Sequence, residues 1–104
     1  GNTITLTAPY AVTSGDGLLV GSIFGIASGD AALGEPVETS LVGVFDLTKV
    51  GSQAWTVGAK VYWDDINKRT TSVATSNTLI GVATEAVAGG AGDTIGRVRL
   101  NASF

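Results

Sequence analysis

The chain has 104 residues, of which 44% are apolar and 14% charged, and a net charge of −3. It has no cysteine and no histidine, so it builds no disulfide framework, zinc–thiolate site or cysteine nucleophile, and it lacks the commonest general base and metal ligand. The length fits a single domain over 1–104, the six basic residues form no run of the kind nucleic-acid binding uses, and no apolar stretch approaches the roughly 18 residues of a membrane span.

Thr3-Ile4-Thr5-Leu6-Thr7 alternates and reads as a strand with Ile4 and Leu6 inward. Pro9 limits how far it pairs, and Thr13-Ser14-Gly15-Asp16-Gly17 is a dense turn signal. Residues 18–27 are apolar on both faces: Leu18, Val20, Phe24 and Ile26 alternate with Leu19 and Ile23. That predicts a strand covered on both sides, or with one face in an interface, bent or bulged at Gly21 and Gly25. A helix is the alternative, opposed by the two glycines and the β-branched residues. Ser28-Gly29-Asp30 is a turn, and 31–34 a short helical turn or loop. A strand is predicted from about Pro36 to Leu47, broken near Gly43. Ser52-Gln53-Ala54-Trp55 has the form of one helical turn capped by Ser52.

The central stretch is Trp55-Thr56-Val57-Gly58-Ala59-Lys60-Val61-Tyr62-Trp63-Asp64-Asp65, which holds both tryptophans. From Lys60 it alternates, with Val61 and Trp63 facing the core and Lys60, Tyr62 and Asp64 facing away. Trp63 and Val61 are the expected core anchor, with Trp55 lying over the same core. Residues 64–68 read as a turn, 69–75 as an exposed edge, and Ser76-Asn77 as a turn. Residues 78–87 form a mostly buried strand, 89–93 a flexible loop, and 94–101 a last strand with Val98 and Leu100 inward and Arg97 and Arg99 outward. The expected fold is all-β: a small antiparallel β-barrel or β-sandwich of about seven strands, with at most one short helical turn and no internal repeat or linker.

The candidate chemistry is thin. Asp64, Asp65 and Asn67 offer oxygen ligands, but without the glycine and terminal glutamate of a calcium loop. The glycines of 89–92 lead to Asp93 and a strand, not to the lysine and helix of a phosphate loop. Asp16, Asp30, Glu35 and Asp46 are scattered, with nothing placing two across a cleft. No catalytic residue, metal or cofactor is expected. Arg97 and Arg99 share a strand face that is either solvated or a partner surface, since arginine is enriched in interfaces. Trp55 and Tyr62 invite the same pair of readings.

Several segments together resemble a known family: Gly1-Asn2-Thr3-Ile4-Thr5-Leu6-Thr7-Ala8, Val12-Thr13-Ser14-Gly15-Asp16-Gly17, Gly43-Val44-Phe45-Asp46-Leu47 with Lys49, Ala54-Trp55-Thr56 running on to Gly58 and Val61-Tyr62-Trp63-Asp64, Ile80-Gly81-Val82-Ala83, and Val98-Arg99-Leu100-Asn101. The chain resembles the DUF2190 family of tailed phages and prophages, regarded as capsid cement or decoration proteins. The resemblance implies a non-catalytic virion protein, made in the bacterial cytoplasm and seated on the outer face of the expanded head against the major capsid protein, most readily as a trimer at three-fold positions. Members of that family usually carry a short N-terminal arm before the Gly-Asn-Thr-Ile start, and a start at Gly1 without methionine is what a trimmed or processed form would show. The low charge and the run apolar on both faces agree with an assembling subunit. The alternative is a non-catalytic carbohydrate- or surface-binding module using Tyr62, with an enzyme a distant third.

Overall fold

The computed structural model describes residues 3–100. Among them there is no helix, and nine strands make two antiparallel sheets. The all-β expectation holds. The strands outnumber the expected seven because stretches read as continuous fold back or break. The chain separates into two compact units, one running to Gly43 and the other from Val44.

The first unit contains β1 (Thr3–Thr7), β2 (Gly17–Val20), β3 (Ile23–Ala27) and β4 (Pro36–Ser40), in the sheet order β1-β4-β3-β2. The alternation of β1 is realised: its threonines are exposed, while half-buried Ile4 and Leu6 lie opposite Thr39 and Val37. Residues 18–27 are not one strand but the hairpin β2–β3. Val20 pairs with Ile23, and Gly21 has a φ of 60°. Glycine at the first place of a two-residue loop matches the II′ turn, whose twist suits the flanking strands. Alternation along such a run looks the same whether the chain continues or reverses, so the pattern alone hid the turn. Residues 31–34 form a loop, held by an isolated Val12–Ala31 bridge and by Glu35 Oε1 accepting from Ala32 N at 2.9 Å. Ala8, Val12, Leu18, Ala27, Ala31 and Val37 form the buried cluster, with Leu6, Tyr10 and Val20 packed against it. Tyr10 donates its hydroxyl proton to Gly17 O at 2.7 Å, which satisfies the polar atom that the ring carries inward.

The second unit contains β5 (Gly43–Thr48, whose first residue is the last of the first unit), β6 (Lys60–Asp64), β7 (Arg69–Thr71), β8 (Thr78–Ala83) and β9 (Ile95–Leu100), in the order β5-β9-β8-β6-β7. The expected strand over 36–47 is therefore β4 and β5, which belong to different sheets. The ends of the five-stranded sheet meet. Lys49, just past β5, makes a parallel bridge with Thr70 of β7. Val50 N donates to Thr70 O at 2.9 Å, and Thr70 Oγ1 donates to Thr48 O at 2.8 Å. Of the exposed edge expected over 69–75, residues 72–75 are exposed, but this closure corrects the expectation at β7, where Thr70 and Thr71 are buried. Their hydroxyls are hydrogen-bonded, Thr71 Oγ1 accepting from Gln53 Nε2 at 3.1 Å, so the polar atoms enter the interior without a desolvation debt.

Val61 and Trp63 point inward from β6 and are 0% and 3% exposed, as expected. Trp63 Nε1 donates to Asp65 Oδ1 at 3.0 Å. Val98 and Leu100 of β9 also face in; Asn101 lies outside the described residues. The helical turn expected over 52–55 does not form. Ser52 occupies a turn with a φ of 58° instead of capping a helix. Trp55 makes an isolated antiparallel bridge with Val87, each N donating to the other's O at 3.0 Å. A single helical turn has too few bonds to offset its nucleation cost, whereas this bridge satisfies both backbone groups of Trp55. The strand predicted to reach residue 87 accordingly stops at Ala83.

Candidate functional site

The outward side chains of the second unit form the surface that sequence reading pointed to. β9 presents Ile95, Arg97 and Arg99, all exposed. Arg99 lies directly opposite Val82 of β8, and Val82 lies opposite Lys60 of β6. Directly opposed residues share a face, so Arg99, Val82 and Lys60 make one row across three strands. The next row on that face pairs Leu79 with Tyr62. Tyr62 is half-buried and Leu79 38% exposed.

Of the four expected partner residues, the structure therefore brings Tyr62, Arg97 and Arg99 to one face. It removes Trp55, which is only 2% exposed. The Trp55 ring lies on Gly96 so closely that a Cβ there would sit 2.3 Å from its Cζ3, and its Nε1 donates to Gln53 Oε1 at 2.8 Å. The bare backbone of Gly96 gives the indole a place to bury, a long-range complementarity that no local pattern displays.

Arg97 and Arg99 differ in electrostatic state. Arg97 is paired within its own chain: Nε donates to Asp46 Oδ1 at 2.9 Å and Nη2 to Asp46 Oδ2 at 3.3 Å, with Glu85 Oε1 3.4 Å from Nη1. The bidentate hydrogen bonding holds the Asp46 carboxyl below its ordinary range. Arg99 and Lys60 make no ion pair among the described residues.

The remaining candidates are turn chemistry. Asp64 Oδ1 accepts from Ile66 N at 3.1 Å and Asn67 N at 3.2 Å, while Oδ2 accepts from Asn67 Nδ2 at 2.8 Å. The Asn67 side-chain bond leads in lowering the Asp64 pKa. These oxygens are engaged in closing the β6–β7 hairpin, and among the described residues no three acidic side chains are grouped to hold a metal. The loop over 89–93, expected to be flexible, is tied down. Asp93 Oδ2 accepts from Gly90 N at 2.8 Å, and Gly90 O accepts from Ser52 N at 3.1 Å.

A sequence model of the phage cement protein family matches residues 1–100. The chain belongs to the phage cement proteins. DUF2190 is another label for that family. No curated protein and no solved structure matches the chain. Family membership assigns this cement protein a structural role in the phage capsid.

The cement protein also contains a buried cation that sequence reading did not single out for burial. Lys49 is 1% exposed. Its Nζ donates to Val50 O at 2.7 Å and Asp93 O at 3.1 Å, and lies 5.6 Å from the centroid of Trp55. Two carbonyls and a ring face thus receive the ammonium. The available signal was period two: Leu47 faces inward, so Lys49 does too. Burial pushes its pKa below the ordinary 10.5, and Asp93 pulls it partly back. The native state therefore disfavours the charged amine relative to the unfolded chain. Between the depressed native value and 10.5 the unfolded chain binds more protons, so this group makes stability rise with pH across that window. Below the window its cost is constant. Urea midpoints of wild type should gain on those of Lys49→Met as pH rises toward 10.5; parallel profiles would show that the ammonium carries no net burial cost.

Proposed function

We propose that the cement protein binds the outer surface of the expanded phage head, against the major capsid protein, and stabilises the expanded shell. The family match over residues 1–100 carries this reading. It is supported by the low charge and by a second unit whose paired strands present an outer face with Tyr62, Arg97 and Arg99. The mechanism is linkage. A protein that binds the expanded shell better than its precursor shifts the equilibrium toward the expanded state by its differential affinity. Copies joined as a trimer on a three-fold axis convert a weak contact into avidity. The trimer and its three-fold seat are part of this proposal.

The test is incubation of the purified protein with expanded heads that lack it, and with unexpanded precursors. Stoichiometric binding to expanded heads, with a raised temperature of head rupture, is expected. Saturable binding to neither form, by protein that melts cooperatively, would overturn the reading.

A further inference from the structure

The two units differ in charge in a way the chain total conceals. The first unit carries Asp16, Asp30, Glu35 and Glu38 and no lysine or arginine at all. The second carries all six basic residues against five acidic ones. The four carboxylates of the first unit are exposed, and they accept hydrogen bonds from neutral donors. Asp16 Oδ2 accepts from Thr13 N at 2.9 Å, Asp30 Oδ1 from Ser14 N at 2.9 Å, Glu35 from Ala32 N, and Glu38 from Thr5 Oγ1. Those bonds hold the acids in place without cancelling their charge.

On the second unit the acids are mostly spent within the chain. Asp46 and Glu85 hold Arg97, Asp65 is 3.0 Å from Lys68 Nζ, and Asp64 approaches Arg69 at 4.0 Å. What remains is the row Arg99–Val82–Lys60, with Leu79–Tyr62 beside it: two uncompensated cations flanking an apolar centre, with no carboxylate in either row. A partly apolar sheet face with unpaired positive charge fits a partner that is neutral to apolar and acidic.

We infer that this row is the docking surface for the acidic first unit of a second copy of the chain. Acidic unit on basic row is a contact between unlike patches, so it runs head to tail. Repeated around a rotation axis it closes into a ring; without closure it would grow into a filament. The inference deepens the trimer part of the proposed function, and names the unpaired Arg99 and Lys60, with Arg97 committed internally, as the cationic side of the contact.

Light scattering on the isolated protein reads self-association with no capsid present. In low salt a mass above the monomer is expected, falling toward the monomer near 1 M salt, where the screening length shrinks to about 3 Å. Lys60→Glu with Arg99→Glu should weaken self-association by about tenfold or more. Replacing the four acids by their amides (Asp16→Asn, Asp30→Asn, Glu35→Gln, Glu38→Gln) should do the same while preserving the geometry of their turns. Thermal melts confirm that each variant is folded. A monomer at low salt and high micromolar concentration overturns the inference, as does self-association that survives either folded variant. So does a Lys60/Arg99 variant that still self-associates but no longer binds expanded heads, since the row would then face the capsid. Wild-type binding to heads alongside any of these results leaves the cement reading intact.

Discussion

Trp63→Ala is expected to destabilise the second unit by about 3–5 kcal/mol, the range for removing a large buried aromatic. The ring is 3% exposed, and it stands on β6 beside Thr78 of β8 and Thr70 of β7. Its loss opens a cavity next to the seam where Thr70 joins Lys49. It also frees Asp65 Oδ1, which still has Lys68 Nζ at 3.0 Å, so the cost should come from packing more than from the lost indole bond. Urea unfolding followed by tyrosine fluorescence or circular dichroism measures the effect. A loss below about 1 kcal/mol would mean that the site collapses around the missing ring far better than rigid packing allows.

Gly81→Ala is the second large effect, and it arises from backbone contact. A Cβ at Gly81 would lie 2.0 Å from Arg99 O and 3.2 Å from Leu100 Cα. No rotamer relieves a clash with a main-chain oxygen, so β8 and β9 must separate where Gly81 pairs with Leu100. Overpacking costs typically 1–3 kcal/mol where side chains can yield; here the upper end or beyond is expected. At about 4–8 °C per kcal/mol for a small domain, the melting temperature should fall by about 12 °C or more. A change within about 2 °C would mean that the two strands part easily at this position. Glycine reads in a strand pattern as a weakness, but at this position it permits the close strand approach.

The strands with clean period-two alternation were legible. Thr3–Thr7 and Lys60–Asp64 have the expected bounds and facing, and Arg97–Leu100 of β9 the expected facing, because one side of each is visibly polar. Where both sides are apolar the signal vanished, and the β2–β3 hairpin passed for a single strand. The buried threonines of β7 were illegible for a different reason. Their burial depends on hydrogen bonds to Thr48 and Gln53, residues 22 and 18 positions away. No linker composition marks the junction between the two units, which is why the sequence reads as one domain. Of the candidate site, the outward facing of Tyr62, Arg97 and Arg99 followed from alternation. That Arg97 is neutralised by Asp46, 51 positions earlier, and Arg99 is not, depends on which strands become neighbours, and β5 beside β9 is a non-local choice.

That neighbour choice also sets a timetable. Every strand partner of the first unit's sheet lies within the first 40 residues, so those pairings are available early in translation. β5 must wait for β9, and Lys49 for Asp93, 44 positions on. At about 5–20 residues per second the 51-residue gap between Asp46 and Arg97 takes about 3–10 s to synthesise. During that interval Leu47, Trp55, Val61 and Trp63 are made but lack the strand that completes their sheet. A nascent chain stalled in this window should be the form most prone to chaperone capture or self-aggregation. Slowing translation across residues 65–95 should therefore lower the soluble yield more than the same delay placed before residue 40.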